Sequence, residues 1–290
     1  MSYDEDYPIR ELKEGTWPPL LKEISDPPKK LYARGVIAFD DVKILAVVGS
    51  RKYSSYGKEV TRTLIEGLRG YPIAIVSGLA LGIDALAHEA ALNAGLYTIT
   101  VPGSGIADNF LYPRSHIMLA HRILESGGGI LSEFEPDQEP APWTFPQRNR
   151  IMAGMSHAVL IIEASEKSGT LITARLGMEY NRDILTVPGS IFSGNSYGPH
   201  VLIRDGATPV TSSADILEAL GLSTQPNTDT LTGRSPEEQE VLDLLGEPTP
   251  KDALIRRLGK DISTTNTLLS MMEIKGLIRE VDGVLIKAHI

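Results

Sequence analysis

At 290 residues, 42% hydrophobic and 22% charged, the chain has room for about two domains and the make-up of a globular protein. It contains no cysteine, which excludes disulfides, thiolate metal sites and thiol nucleophiles, and no run approaches the ~18 apolar residues that a membrane span needs. The net charge of −9, with no region basic overall, argues against non-specific coating of duplex nucleic acid and leaves a local, concentrated site for any nucleic-acid contact.

The start, Met1-Ser2-Tyr3-Asp4-Glu5-Asp6, is acidic and has no apolar core, so it reads as no signal peptide, and a reducing cytoplasm is the expected compartment. Residues 1–42 are rich in proline (Tyr7-Pro8, Trp17-Pro18-Pro19, Asp26-Pro27-Pro28) and read as an extended lead-in that packs on the next domain with little regular structure. From 43 to 220, short apolar runs alternate with amphipathic stretches. Strands are expected at Ile44–Val48, Ile73–Val76, Tyr97–Val101, Gly129–Leu131, Ala158–Ile162 and Ile184–Val187. Helices are expected at Gly57–Arg69, Gly82–Ala94, Ser115–Glu125, Arg148–Gly154 and Thr170–Tyr180. This is the pattern of α/β units: a Rossmann-like parallel sheet with helices on both faces.

Residues 221–233 are polar and turn-rich and read as a linker. Ser235-Pro236-Glu237-Glu238 opens a helix to about Leu245, followed by helices at Lys251–Leu258 and Thr264–Lys275. Two strands, Leu277–Val281 and Val284–Lys287, flank an Asp282-Gly283 hairpin signal, so 234–290 reads as a small winged-helix domain.

Five strands run into small-residue turns: Gly49-Ser50-Arg51, Ser77-Gly78, Gly103-Ser104, Lys167-Ser168-Gly169-Thr170 and Gly189-Ser190. In a parallel sheet these carboxyl ends share one edge, where ligands bind and where glycines let backbone amides approach phosphates. A shared anion site is the favoured reading, with plain tight turns the alternative. The phosphate-loop and dinucleotide glycine fingerprints are both absent, which argues against a P-loop ATPase and a dinucleotide cofactor.

Arg51 follows the first strand and is placed to grip a phosphate bidentately. Arg148 and Arg150 bracket Asn149 and diverge on a helix, so one faces the site while the other pairs with an acid; Arg148 is the expected site residue. Lys167 adds a charge at a helix mouth, and Arg114 is a weaker candidate. Phe145 is available to stack on a base or to fill core. Asp84 and His88, four apart on one helix, could be an acid–base pair, but a helix-terminus complement is favoured since no nucleophile accompanies them. The acidic Glu133, Glu135, Asp137 and Glu139 read as a solvated loop rather than a metal site, and the six histidines have no metal spacing. The would-be recognition helix, Ser263-Thr264-Thr265-Asn266-Thr267, carries no base before Lys275 in a domain of charge −2, which favours a protein-contact role over duplex reading.

Taken together, Gly49-Ser50-Arg51, Ser77-Gly78-Leu79-Ala80-Leu81-Gly82-Ile83-Asp84, Ser132-Glu133, Phe145-Pro146-Gln147-Arg148-Asn149-Arg150-Ile151, Ser168-Gly169-Thr170 and Val187-Pro188-Gly189-Ser190 resemble the DNA-processing protein A (DprA, or Smf) family. The resemblance is dense over about residues 7–220 and loose over the winged helix. It implies a non-enzymatic, cofactor-free protein that binds and protects single-stranded DNA and loads the RecA recombinase on it during natural transformation. A homodimer through the Rossmann-like domain and contact with single-strand-binding protein are implied as well. The resemblance implies a basic DNA pocket at Arg51, Arg148 and Lys167; with the residue readings above, the expected DNA site comprises Gly49, Ser50, Arg51, Ser77, Gly78, Gly103, Arg114, Phe145, Arg148, Asn149, Lys167, Ser168, Gly169 and Thr170. Two departures stand out: the N-terminal helical domain of many members is missing, and His200 stands where asparagine is expected.

Two other functions compete. A phosphoribohydrolase acting on nucleoside monophosphates, similar to the lysine-decarboxylase-like (LOG) group, would need a glutamate where this chain has Thr173. A ligand-sensing transcription regulator would need a more basic recognition helix.

Overall fold

The proline-rich lead-in does form strands, contrary to expectation. A computed structural model describes residues 6–37, 39, 42–223, 235–245, 249–274, 277–281 and 284–287. In it β1 (Arg10–Glu11) pairs antiparallel with β2 (Tyr32–Gly35), and β2 will pair in the same sense with a later strand. The signal was masked because β2 carries an arginine among its buried positions. Arg34 is fully buried and reaches the Asp108 carboxylate at 2.6 Å and the Ile106 carbonyl at 3.0 Å.

The six expected strands are present: β3 (Lys43–Val48), β4 (Ile73–Ser77), β5 (Tyr97–Thr100), β6 (Gly129–Ser132), β7 (Ala158–Ile161) and β8 (Asp183–Thr186), with β9 (Thr208–Pro209) added at the edge. The sheet order is β1-β2-β6-β5-β4-β3-β7-β8-β9, parallel from β6 to β9 and antiparallel only at β1 and β2. The stretch β5-β4-β3-β7-β8-β9 has the doubly wound order, with its reversal between β3 and β7.

Strand residues alternate between two cores. Ile44, Ala46, Val48, Val159 and Ile161 face one, and Leu45, Val47, Leu160 and Leu185 the other. Helices α1 (Ser55–Glu66) and α2 (Ile83–Ala94) supply Leu64, Ile65, Ala87 and Ala91 to the second core, while α3 (Ile117–Glu125) packs Leu119 and Ile123 in a satellite cluster. α4 (Thr144–Met155) and α5 (Thr170–Glu179) cover the first core through Ile151, Met155 and Ala174, joined by Leu202 of α6 (Tyr197–Arg204). α7 (Ser213–Ala219) returns to the second with Ile216 and Leu217.

α4 begins four residues before the expected Arg148. Pro146 sits in its first turn, where a missing amide costs nothing because first-turn amides have no intrahelical acceptor. The Thr144 hydroxyl ties this turn down by donating to the Gly103 carbonyl at 2.5 Å.

The chain divides into compact units Met1–Thr224 and Gln225–Ile290. The second holds α8 (Pro236–Leu244), α9 (Lys251–Leu258) and α10 (Ile262–Ile274), with β10 (Thr249–Pro250), β11 (Ile278–Val281) and β12 (Val284–Lys287) in the order β10-β12-β11. Ser235 and Glu238 form the capping box that starts α8, and Leu242, Leu254, Leu269, Met272 and Leu285 make the core. This is a winged helix with a third strand that the sequence did not announce. The linker from 224 to 233 and Lys275, Asp282 and Gly283 lie outside the described residues.

Candidate nucleic-acid interface

The carboxyl ends of β3, β4 and β7 meet beside the reversal of strand order, and two glycines let their loops interlock there. At Gly49 a β-carbon would lie 2.7 Å from the Ile83 side chain. Gly82 adopts φ +89°, which side chains avoid, and a β-carbon on it would press on Arg51 Cα at 2.7 Å. The Ile83 amide then donates to the Ser50 carbonyl at 3.2 Å, and the Ser50 hydroxyl closes a tight turn by accepting from the Lys52 amide at 3.1 Å. Ser50 therefore shapes the loop, and Arg51 and Lys52 are left projecting from it, both exposed.

Arg148 forms the floor. It is 4% exposed and donates to the Gly78 carbonyl at 2.6 Å, to the Val101 carbonyl, and through Nε to the Asn149 side chain at 3.1 Å. Asp84, at the start of α2, accepts from the Gly78 amide at 3.1 Å. Burial pushes the Asp84 carboxyl up, against the pull of the Arg148 guanidinium; burial likewise lowers Arg148 to about 10, with Asp84 opposing. Arg150 points the other way and ion-pairs with Glu133 and Asp26. The divergence of the two arginines on α4 thus takes the expected sense, but Arg148 is a buried floor residue and not an open clamp.

Above this floor is a cleft of about 860 Å³. It gathers ten of the fourteen residues expected at the site: Gly49, Ser50 and Arg51 after β3; Phe145, Arg148 and Asn149 on α4; and Lys167, Ser168, Gly169 and Thr170 before α5. The Arg51 guanidinium lies 5.3 Å from the centroid of the Phe145 ring, a cation–π contact. The Phe145 ring is in turn tilted against Tyr112 at 5.8 Å.

Four expected residues do not line the cleft. Ser77 is fully buried and donates to the Val47 carbonyl at 2.6 Å. Gly78 acts from behind, with its amide on Asp84 and its carbonyl on Arg148. Gly103 seats Phe145, since a β-carbon there would come 2.5 Å from the ring. Arg114 is exposed beyond Tyr112 and donates to the Asp108 carbonyl at 2.8 Å.

The amide cradle expected at the start of α5 is mostly engaged. The amides of Ser168, Leu171 and Ile172 donate to carbonyls of Ser165, Ser168 and Gly169, and the Thr170 amide to the Ser168 hydroxyl at 3.2 Å. The positive charge free at the cleft is therefore that of side chains. Arg51, Lys52 and Lys167 are all exposed on the cleft, and among the described residues none is paired with an acid.

Lys52, Tyr112 and Asn195 also line the cleft, beyond the residues to which the sequence points. Lys52 was legible beside Arg51, whereas nothing local marked Asn195, whose loop is brought in by Glu163. That carboxylate, 3% exposed, accepts from the Ser54 amide at 2.9 Å, the Ser54 hydroxyl at 2.5 Å and the Asn195 side chain at 3.3 Å.

Other residues weighed from the sequence lie elsewhere. His88 is buried and meets the Thr98 hydroxyl at 2.8 Å, and among the described residues no hydrogen bond or ion pair joins it to Asp84, so no acid–base pair forms. Glu133 pairs with Arg150, and Glu135 accepts from Tyr32 at 2.6 Å. His200 meets the Gly189 carbonyl at 3.0 Å, outside the cleft. Among the described residues no group of three metal-capable side chains converges, and no helix is long and apolar enough to cross a membrane.

The comparisons agree with this architecture. Residues 9–221 match the family model of DNA recombination-mediator protein A, and residues 223–283 that of the DprA winged helix domain. Protein Smf of Escherichia coli strain K12 is 40% identical over 277 residues, covering 92% of this chain and 74% of the relative. The X-ray structure of DNA processing protein A from Streptococcus pneumoniae is 40% identical with a TM-score of 0.67 and covers 74% of each chain. DNA processing protein A from Helicobacter pylori, solved to describe its single-stranded DNA binding mode, is 31% identical with a TM-score of 0.67, over 76% of this chain and 98% of that one. With the sheet order, the glycine-framed cleft and these matches in agreement, the chain belongs to the DNA recombination-mediator protein A (DprA/Smf) family.

Proposed function

We propose that this protein is a recombination mediator that binds single-stranded DNA, protects incoming strands and loads RecA on them during natural transformation, as a cytoplasmic homodimer and without catalysis. One observation carries the reading: in a chain of net charge −9, three cations unpaired among the described residues and two aromatic rings share one cleft. Single strands are held by cationic contacts along the backbone and by rings under the bases, and a few such contacts suffice where a basic face is absent. The Helicobacter pylori relative, with its single-stranded DNA binding mode, supports the ligand class. Ser77, Gly78 and Gly103 serve the site from behind, and Arg114 meets the strand outside the cleft.

The test is the salt dependence of single-strand affinity in the full chain. Each neutralised phosphate contributes about −0.7 to the log–log slope, so removing Arg51, Lys52 and Lys167 together flattens it by about 2. An unchanged slope in a folded triple variant sinks the assignment. Charge reversal at Arg148 is a poor probe, because it would bury a second carboxylate beside Asp84. RecA loading is read separately, as filament assembly on strands coated with single-strand-binding protein; no acceleration by the full chain removes that part of the reading.

A further inference from the structure

Tyr112 is the second ring of the cleft, and its geometry sets it apart from Phe145. Its ring is 42% exposed at the cleft rim, and its hydroxyl has no hydrogen-bond partner among the described residues. A buried tyrosine finds a partner for its hydroxyl, and a packing tyrosine buries its ring; this one does neither.

Among the described residues the ring's one aromatic contact is with Phe145, at 5.8 Å between centroids and 59° between planes. A base inserted between two rings needs parallel planes about 6.8 Å apart, twice the ~3.4 Å stacking distance. The pair is too close and too tilted for that. The two rings therefore cannot share one base, and each has a face of its own to offer. Phe145 is further confined by Gly103 at its edge and Arg51 over one face. Among the described residues no cation lies over Tyr112.

We infer that Tyr112 is a second base platform, which stacks the nucleotide adjacent to the one at Phe145. The inference rests on the single-strand reading above and deepens it. Two tilted rings in contact set the step between neighbouring bases, so the strand is bent across the rim instead of passing as a straight stack. Stacking is indifferent to base identity, because every base has a π-face, and it releases no counterions.

The experiment measures affinities of the full chain, as wild type, Tyr112→Ala, Tyr112→Phe and Phe145→Ala, for the shortest oligodeoxynucleotide that retains full affinity. The same oligonucleotide is then made with one abasic site walked along it. Tyr112→Ala should weaken binding about tenfold with an unchanged salt slope, and Tyr112→Phe should stay within about twofold of wild type. The Tyr112→Ala penalty should vanish at one abasic position, and the Phe145→Ala penalty at the neighbouring one. A ring that merely props up Phe145 would give a penalty that vanishes at the Phe145 position or at none, and either result overturns the inference, as does full affinity in Tyr112→Ala. Absence of wild-type binding would instead overturn the single-strand reading itself.

Discussion

Arg148 donates to the carbonyl of Gly78 at 2.6 Å, and the space a β-carbon would fill on Gly78 is already occupied by that same guanidinium. The glycine and the arginine, seventy positions apart, are two halves of one contact. Substituting Gly78→Ala should therefore act on Arg148. Its head group is held by Val101 and Asn149 and has little freedom to retreat, so we expect a loss of about 1–3 kcal/mol of stability, the usual range for overpacking, together with weaker single-strand binding. Urea denaturation beside a mobility shift would check both; a variant with wild-type stability and affinity would show that the contact is dispensable.

Glu163 ties two walls of the cleft together through Ser54 and Asn195. Glu163→Ala would take the acceptor from the partly buried Ser54 amide and hydroxyl, at about 1–3 kcal/mol, and would loosen the loop that carries Arg51 and Lys52. The expected result is a lower denaturation midpoint accompanied by a flatter salt slope. A midpoint shift with the slope intact would mean that the carboxylate supports the fold and not the cleft.

Acid should destabilise the protein through His88. Burial lowers this imidazole from 6.5 to about 3, so between those values the unfolded chain binds a proton that the folded chain does not. Stability is complete above pH 6.5 and falls as pH drops toward 3, by up to ~1.4 kcal/mol per unit, or about 2 kcal/mol at pH 5. Denaturation at pH 7.5 and pH 5 in wild type and His88→Gln would measure it, and the variant should lose about that much of the pH dependence. An identical dependence in both would place the acid sensitivity on other groups.

The cleft should not release base from AMP. Thr173 lines it at the position where the phosphoribohydrolase resemblance requires glutamate, and Asp84, the acid within reach, is committed to the Gly78 amide. Chromatography of AMP after prolonged incubation should show no adenine; robust turnover would restore the enzyme reading.

The six central strands were legible because short β-branched runs buried on both faces have few other uses. The lead-in strands were not, since β2 takes its place through pairing with β6 and through the buried Arg34–Asp108 pair, neither of which leaves a periodic signal. The start of α4 is hidden in the sequence because proline in a first turn looks like a barrier when the turn's boundary is unknown. Within the site, the glycines were visible but their tasks were not. Gly49 meets Ile83 across an interlocked loop, Gly103 seats a phenylalanine and Gly78 an arginine, and each task is defined by a residue far away in the chain.

By itself the sequence determined the doubly wound core, the family and the edge of the sheet on which chemistry would gather, because strand length, burial and close backbone approach are local demands on residue type. Only the tertiary structure decided what the residues from Phe145 to Arg175 do there. It sank Arg148 into the floor, engaged the amides before α5 in their own turn, and left Arg51, Lys52 and Lys167 with the charge. The reason is that exposure and hydrogen-bond partnership, which separate a ligand-binding cation from a structural one, are properties of neighbours that only folding brings together.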